Sequence, residues 1–125
     1  MRTLATSSQS PSDRLSRSPA RVSLREILDV VEQIARESSP RRIILFGSHA
    51  TGRALRHSDV DLLVVTARPP GDDASLNLRR KVRYGFPLDL IVCDEARLAR
   101  RIEAGDFFLQ DAVAQGKVVY EDADR

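Results

Sequence analysis

The sequence predicts a mixed α/β, or α+β, layer fold in which a small sheet is flanked by helices. Three observations carry that expectation. Apolar residues recur at helical spacing between Leu24 and Ala35; three short aliphatic, β-branched runs occupy residues 41–46, 59–66 and 88–92; and capping residues precede two further helical segments after residue 93. In chain order the elements read helix, strand, short helix, strand, helix, strand, helix, helix, strand.

Residues 1–21 are rich in Ser, Thr, Arg and Pro, with Leu4 and Leu15 as the only branched aliphatic side chains. So little apolar surface cannot offset the entropy of ordering, and a disordered basic tail is expected. Its Arg-rich, acid-poor character also fits a transit peptide, but no apolar face recurs at helical spacing. One domain is expected over residues 22–125, since 125 residues suffice for one core and not for two.

Ser23-Leu24-Arg25-Glu26 has the form of a capping box and starts a helix. Leu24, Ile27, Leu28, Val31, Ile34 and Ala35 then form one expected buried stripe, and Ser38-Ser39-Pro40 ends it. The run 41–46 ends in Gly47 and reads as a buried strand, with a short helical segment after it. Residues 59–66 form a second strand, closed by Ala67-Arg68-Pro69-Pro70-Gly71. A short helix is expected over 74–84, stopped by Gly85, and a third strand over 88–92. Asp94 caps a helix through Ala104, and Asp106 caps another over 107–115 with Gly116 at its C′ position. Residues 117–120 complete the set as an edge strand.

Charge and composition exclude several classes. The chain carries a net +2, but residues 1–21 hold net +3, leaving 16 basic and 17 acidic side chains in the remainder. A near-neutral domain gives no general support for a nucleic-acid-binding face. Arg79-Arg80-Lys81-Arg83 has no interleaved aromatic residue and reads as a solvated helix face. No apolar run approaches the roughly 18 residues that a membrane-spanning helix needs. Cys93 is the single cysteine, so neither an intrachain disulfide nor a zinc site is expected, and a reducing, cytoplasmic setting follows.

The chemistry is concentrated in strands that should be wholly apolar. Asp59 and Asp61 interrupt the second strand, and side chains two apart share a face at roughly 6.5 Å along the backbone. Two anions so placed repel unless a cation lies between them, and hard oxygen donors without His or Cys point to Mg²⁺ or Mn²⁺. Asp89 sits in the third strand, again where an aliphatic residue would pack better. Three carboxylates on adjacent strands meet the needs of a two-metal site for phosphoryl transfer.

Upstream, the first strand runs into Gly47-Ser48. The glycine lets backbone approach a phosphate, Ser48 offers a hydroxyl and an amide, and the helix start that follows adds donors and a favourable dipole. Gly47 and Gly52 have the spacing of a P-loop, but Arg53 stands where Lys is needed and Ala54 where Ser or Thr is, so a P-loop is rejected.

Gly47-Ser48, ten residues, then Asp59-Val60-Asp61 completes a longer signature. The run from Gly47 to Val65, GSHATGRALRHSDVDLLVV, resembles the polymerase-β-like nucleotidyltransferase superfamily, and within it the minimal nucleotidyltransferases (MNT) paired with HEPN toxins. The resemblance covers about residues 23–120. It implies a nucleotidyltransferase fold and an enzyme that moves a nucleoside monophosphate, AMP from ATP, onto a hydroxyl. It further implies that Gly47 and Ser48 hold the triphosphate, that Asp59 and Asp61 bind both of two metal ions, and that Asp89 completes the second metal site and helps deprotonate the acceptor. Where the family often has Arg this chain has Thr51, and Arg53 is assigned to the β- and γ-phosphates. His49 and His57 are expected to be solvated loop residues. The implied acceptor is a tyrosine of a HEPN-family partner, which makes the chain an antitoxin acting by AMPylation. The alternative is a non-catalytic antitoxin, or binding module, that neutralises its partner by contact. Buried carboxylates cost stability if unused, which favours the enzyme.

Overall fold

The computed structural model describes residues 22–123, so the tail expected over residues 1–21 lies outside the described residues. Four strands form one mixed sheet, with helices on both faces. The elements in chain order are α1 (Leu24–Ser38), β1 (Arg42–Phe46), α2 (Ser48–Thr51), β2 (Val60–Thr66), α3 (Ala74–Lys81), β3 (Leu88–Asp94), α4 (Glu95–Glu103), α5 (Phe107–Gln115) and β4 (Lys117–Glu121). The sheet order is β3-β2-β1-β4. The β1 strand runs antiparallel to both β2 and β4, whereas β2 and β3 run parallel with α3 as the crossover between them.

Alternating side chains divide the core into two layers, as the two-residue period of a strand requires. On one face Ile43, Leu45, Leu62, Val64, Leu88 and Leu90 pack against α1 and α3. On the other, Ile44, Phe46, Leu63, Val65 and Cys93 meet Leu98 of α4 and Leu109 and Ala112 of α5. Both faces of β2 are buried, so a register slip would exchange the two layers without exposing either. Register is instead pinned at the strand ends, where polar residues begin.

The helix starts follow the sequence closely. Both halves of the capping box form: the Ser23 amide donates to Glu26 Oε1 at 2.9 Å and the Glu26 amide to Ser23 Oγ at 3.2 Å. Asp94 accepts from the Arg97 amide and Asp106 from the Leu109 amide, each at 3.1 Å. The buried stripe of α1, however, is Ile27, Val30, Val31 and Ile34, while Leu24 and Leu28 are exposed. The sheet lies against the Val30 side of the helix, and only the centre of the expected stripe reaches it.

Three boundaries also shift. The β3 strand runs on through Cys93 and Asp94, which pair with Val65 and Thr66. The β2 strand begins at Val60, leaving Asp59 just outside it. The α3 helix stops at Lys81, well short of Tyr84, because Val82 turns extended to bury its side chain in the α1 layer. The Gln33 amide holds that extended segment, accepting from the Arg83 N–H at 2.8 Å and donating to the Arg83 carbonyl at 2.9 Å. No helix among the described residues is long and apolar enough to cross a membrane.

Gly116 is extended, not left-handed, so it serves packing where a left-handed cap was expected. A Cβ there would run into the Ala112 carbonyl and the Ile44 side chain. Gly85 borders open space. Gly116→Ala is therefore expected to destabilise the protein by about 1–3 kcal/mol, the usual range for overpacking, while Gly85→Ala stays within roughly 0.5 kcal/mol. Urea unfolding of the two variants checks this through the shift in midpoint.

Candidate active site

The site lies where β1 ends and β2 and β3 begin. Phe46, the last residue of β1, stands opposite Asp61 in the antiparallel pair, and Asp61 stands beside Asp89 in the parallel pair. These three residues continue the stripe of Ile44, Leu63, Val65 and Cys93, so the face that is apolar along the sheet turns acidic at this end. An open cavity of about 370 Å³ covers it, lined by Phe46, Gly47, Thr51, Asp61, Asp89 and, from α5, Phe108, Asp111, Ala112 and Gln115.

Gly47 and Asp61 are fitted to one another. Gly47 has φ +75°, a backbone conformation that L side chains rarely adopt, and a Cβ on it would collide with the Asp61 carboxylate. The Gly47 carbonyl accepts from the amides of Ala50 and Thr51 at 3.0 and 3.2 Å, which folds the chain into the single turn of α2. Ser48 and His49 are the first two residues of that turn, where a helix offers its own N–H groups no intrahelical acceptor. One turn carries little helix dipole, so these amides, and not the dipole expected from the sequence, are what the loop offers an anion.

Asp61 is half-buried, and its carboxyl is raised to about 6, first by desolvation and then by repulsion from Asp89 and Asp59. His49 opposes the rise. Contrary to the expectation of a solvated loop residue, His49 is half-buried, and its Nε2–H donates to the Ser58 carbonyl at 3.3 Å. That bond ties the Gly47-Ser48 turn to the segment entering β2. His57 is exposed, as expected.

Of the residues singled out in the sequence, Gly47, Asp61 and Asp89 line the cavity. Asp59 is exposed just ahead of β2 and acts on Asp61 through its charge, and Asp89 is more exposed than its apolar neighbours suggested. Ser48 opens α2, half-buried, and its carbonyl accepts from the Arg53 amide at 3.0 Å; neither Ser48 nor Arg53 lines the cavity. Phe108, Asp111 and Gln115 do line it and went unremarked in the sequence. Their i, i+3, i+7 spacing on one capped helix was the available signal.

Among the described residues no three His, Cys, Asp or Glu side chains are gathered tightly enough to form a metal cage as they stand. The donor set nonetheless fits a hard divalent cation. Three carboxylates act on one locality, the central one is held partly out of water, and glycine leaves its carboxylate unobstructed.

A family model for the nucleotidyltransferase domain matches residues 24–109, a span that runs from the first turn of α1 into α5 and contains the whole Gly47 to Asp89 region. The chain belongs to the nucleotidyltransferase domain family. Solved structures similar to it include one described as the toxin-antitoxin with AMP-PNP, at 26% identity and a TM-score of 0.56, covering 81% of this chain and 77% of that one. A candidate nucleotidyltransferase from Sulfolobus solfataricus, at 23% identity and a TM-score of 0.56, covers 92% of each chain and shares the fold. A mutant of the toxin-antitoxin MntA-HpeT matches at 25% identity and a TM-score of 0.51, over 75% of this chain and 72% of that one. No curated protein matches at comparable significance. The nucleotidyltransferase fold implied by the sequence is thus the one observed, as a mixed sheet between helices.

The strain at Asp61 has a measurable consequence. Its folded-state carboxyl holds a proton more tightly than the unfolded chain does, so the cost of ionising it is absent below about pH 4 and fully present above about pH 6. Metal-free protein should therefore lose stability as pH rises through that window, and Asp61→Asn should flatten the loss. Solvent screening at this half-exposed group brings the expected gain at pH 7 to roughly 1 kcal/mol. Thermal melts of both proteins in chelator at pH 4.5 and 7 measure it.

Proposed function

We propose that this chain is a metal-dependent nucleotidyltransferase antitoxin that moves AMP from ATP onto a hydroxyl of a partner toxin, the acceptor being a tyrosine of a HEPN-type protein. The observation that carries the reading is the register pairing of Asp61 with Asp89 inside the cavity that Gly47 opens, in a chain of the nucleotidyltransferase family. One similar toxin-antitoxin was solved with AMP-PNP, which supports an adenine nucleotide and a toxin partner.

Asp59, Asp61 and Asp89 would hold two divalent cations, Mg²⁺ or Mn²⁺, whose charge neutralises the triphosphate and the departing pyrophosphate. The Ser48 and His49 amides and the Arg53 guanidinium hold the β- and γ-phosphates, with the Ser48 hydroxyl as a further donor. Asp89, the more exposed of the two paired carboxylates, takes the proton of the acceptor hydroxyl. That oxygen attacks the α-phosphorus in line, the bond from phosphorus to the bridging oxygen breaks, and pyrophosphate leaves. Neutralisation by contact alone is the alternative, and it would use none of these carboxylates.

Incubation with α-labelled ATP and Mg²⁺, with and without the partner toxin, separates the two. Label is expected on the partner with wild type and at least about 100-fold less with Asp61→Asn, the loss typical of a group required by the chemical step. Toxin inhibition without label transfer would establish the contact mechanism instead. Every residue invoked follows Ser23, so residues 22–125 are taken as the transferase domain, and deletion of residues 1–21 should leave transfer unchanged.

A further inference from the structure

The cleft-facing stripe of α5 is composed unlike a core-facing one. Phe108, Asp111, Ala112 and Gln115 stand at i, i+3, i+4 and i+7 and all four line the cavity that holds Asp61 and Asp89. A helix covering a sheet and nothing else would present aliphatic residues here, as α5 does at Leu109. Ala112 is buried, and its small side chain keeps the floor of the cleft open. Phe108 is held by an edge contact with Phe46, with centroids 5.6 Å apart and planes at 88°, yet 55% of it remains exposed. An aromatic ring fixed in place by a neighbour but left uncovered beside a polar cleft is a stacking platform. Asp111, one turn along the same stripe, is an exposed carboxylate that can only accept hydrogen bonds.

We propose that Phe108 and Asp111 form the nucleobase subsite, Phe108 stacking on the base and Asp111 accepting from an exocyclic amine at its edge. The proposal rests on the nucleotidyl-transfer reading of the same cavity and adds the specificity that reading leaves open. A carboxylate here favours adenine, cytosine or guanine, each of which has an exocyclic amino group that donates, over uracil, whose C4 carbonyl would face it with a second acceptor. Asp111 and Gln115 lie beyond residues 24–109, the span matched by the family model.

The chain contains no tryptophan, so Phe108→Trp places the one tryptophan, excitable apart from the two tyrosines, at the platform. With Mg²⁺ present, ATP should quench its emission and inorganic tripolyphosphate should not. By calorimetry, Phe108→Leu should weaken ATP binding at least about fivefold, the lower end of the loss when an aromatic stacking partner is removed, with tripolyphosphate affinity unchanged. Wild type should prefer ATP and CTP to UTP, and Asp111→Asn should bring the ratio towards one. Unchanged ATP affinity in Phe108→Leu, a preference unmoved in Asp111→Asn, or parallel loss of ATP and tripolyphosphate would each overturn the base subsite while leaving nucleotidyl transfer intact. If wild type binds neither ATP nor tripolyphosphate, the transfer reading fails and takes the subsite with it.

Discussion

The Asp61 carboxylate lies against the backbone of Gly47, and most of the site depends on that one close approach. A side chain at position 47 would occupy the space of the carboxylate, and the positive φ at the same residue turns the chain out of β1 into α2. Both demands are met by the absence of a single Cβ. The turn they permit presents the Ser48 and His49 amides beside an acidic group, so one feature sets the position of the proposed anion donors and the proposed cation ligands together.

The sheet supplies the precision. Asp61 is aligned with Phe46 on one side and with Asp89 on the other by two ladders of opposite sense. The buried aliphatic residues that follow in each strand hold those ladders in place, Leu62 to Val65 being fully buried. A side chain carried on a packed strand varies less in position than one on a loop. The same packing withdraws part of the Asp61 carboxylate from water, which disfavours its ionised form at neutral pH. Under the proposed function, a bound cation would return the stability given up at this point.

Much of this was legible in the sequence, and the parts that were share a cause. The capping box at Ser23, the caps at Asp94 and Asp106, and the bounds of α5 depend on residues within a few positions of one another. The approach of Gly47 to Asp61 was legible because Asp61 is a polar residue inside an otherwise apolar strand, whereas Asp59 lies exposed just ahead of it. Features set by distant partners were not legible. Leu24 and Leu28 have the right period for α1 but miss the sheet, since the docking angle is fixed by the strands. The end of α3 is decided by Gln33, fifty positions away from Arg83. The environment of His49 is of this kind, since its partner, the Ser58 carbonyl, is backbone and leaves no mark in the residue pattern. Gly116 looked like a helix cap, and only the approach of Ile44 reveals that it is a packing glycine. The cleft stripe of α5 leaves no mark in hydrophobicity, because it mixes aromatic, acidic and amide groups.

The central claim is that cations join an anionic nucleotide to the carboxylates around Asp61. Titration of ATP into the protein by calorimetry, once with Mg²⁺ and once with a chelator, tests it most directly. Saturable binding with Mg²⁺ and none with the chelator is the result this structure predicts. Equal affinity in the two conditions would contradict it, because a triphosphate could then approach these carboxylates without a cation between them.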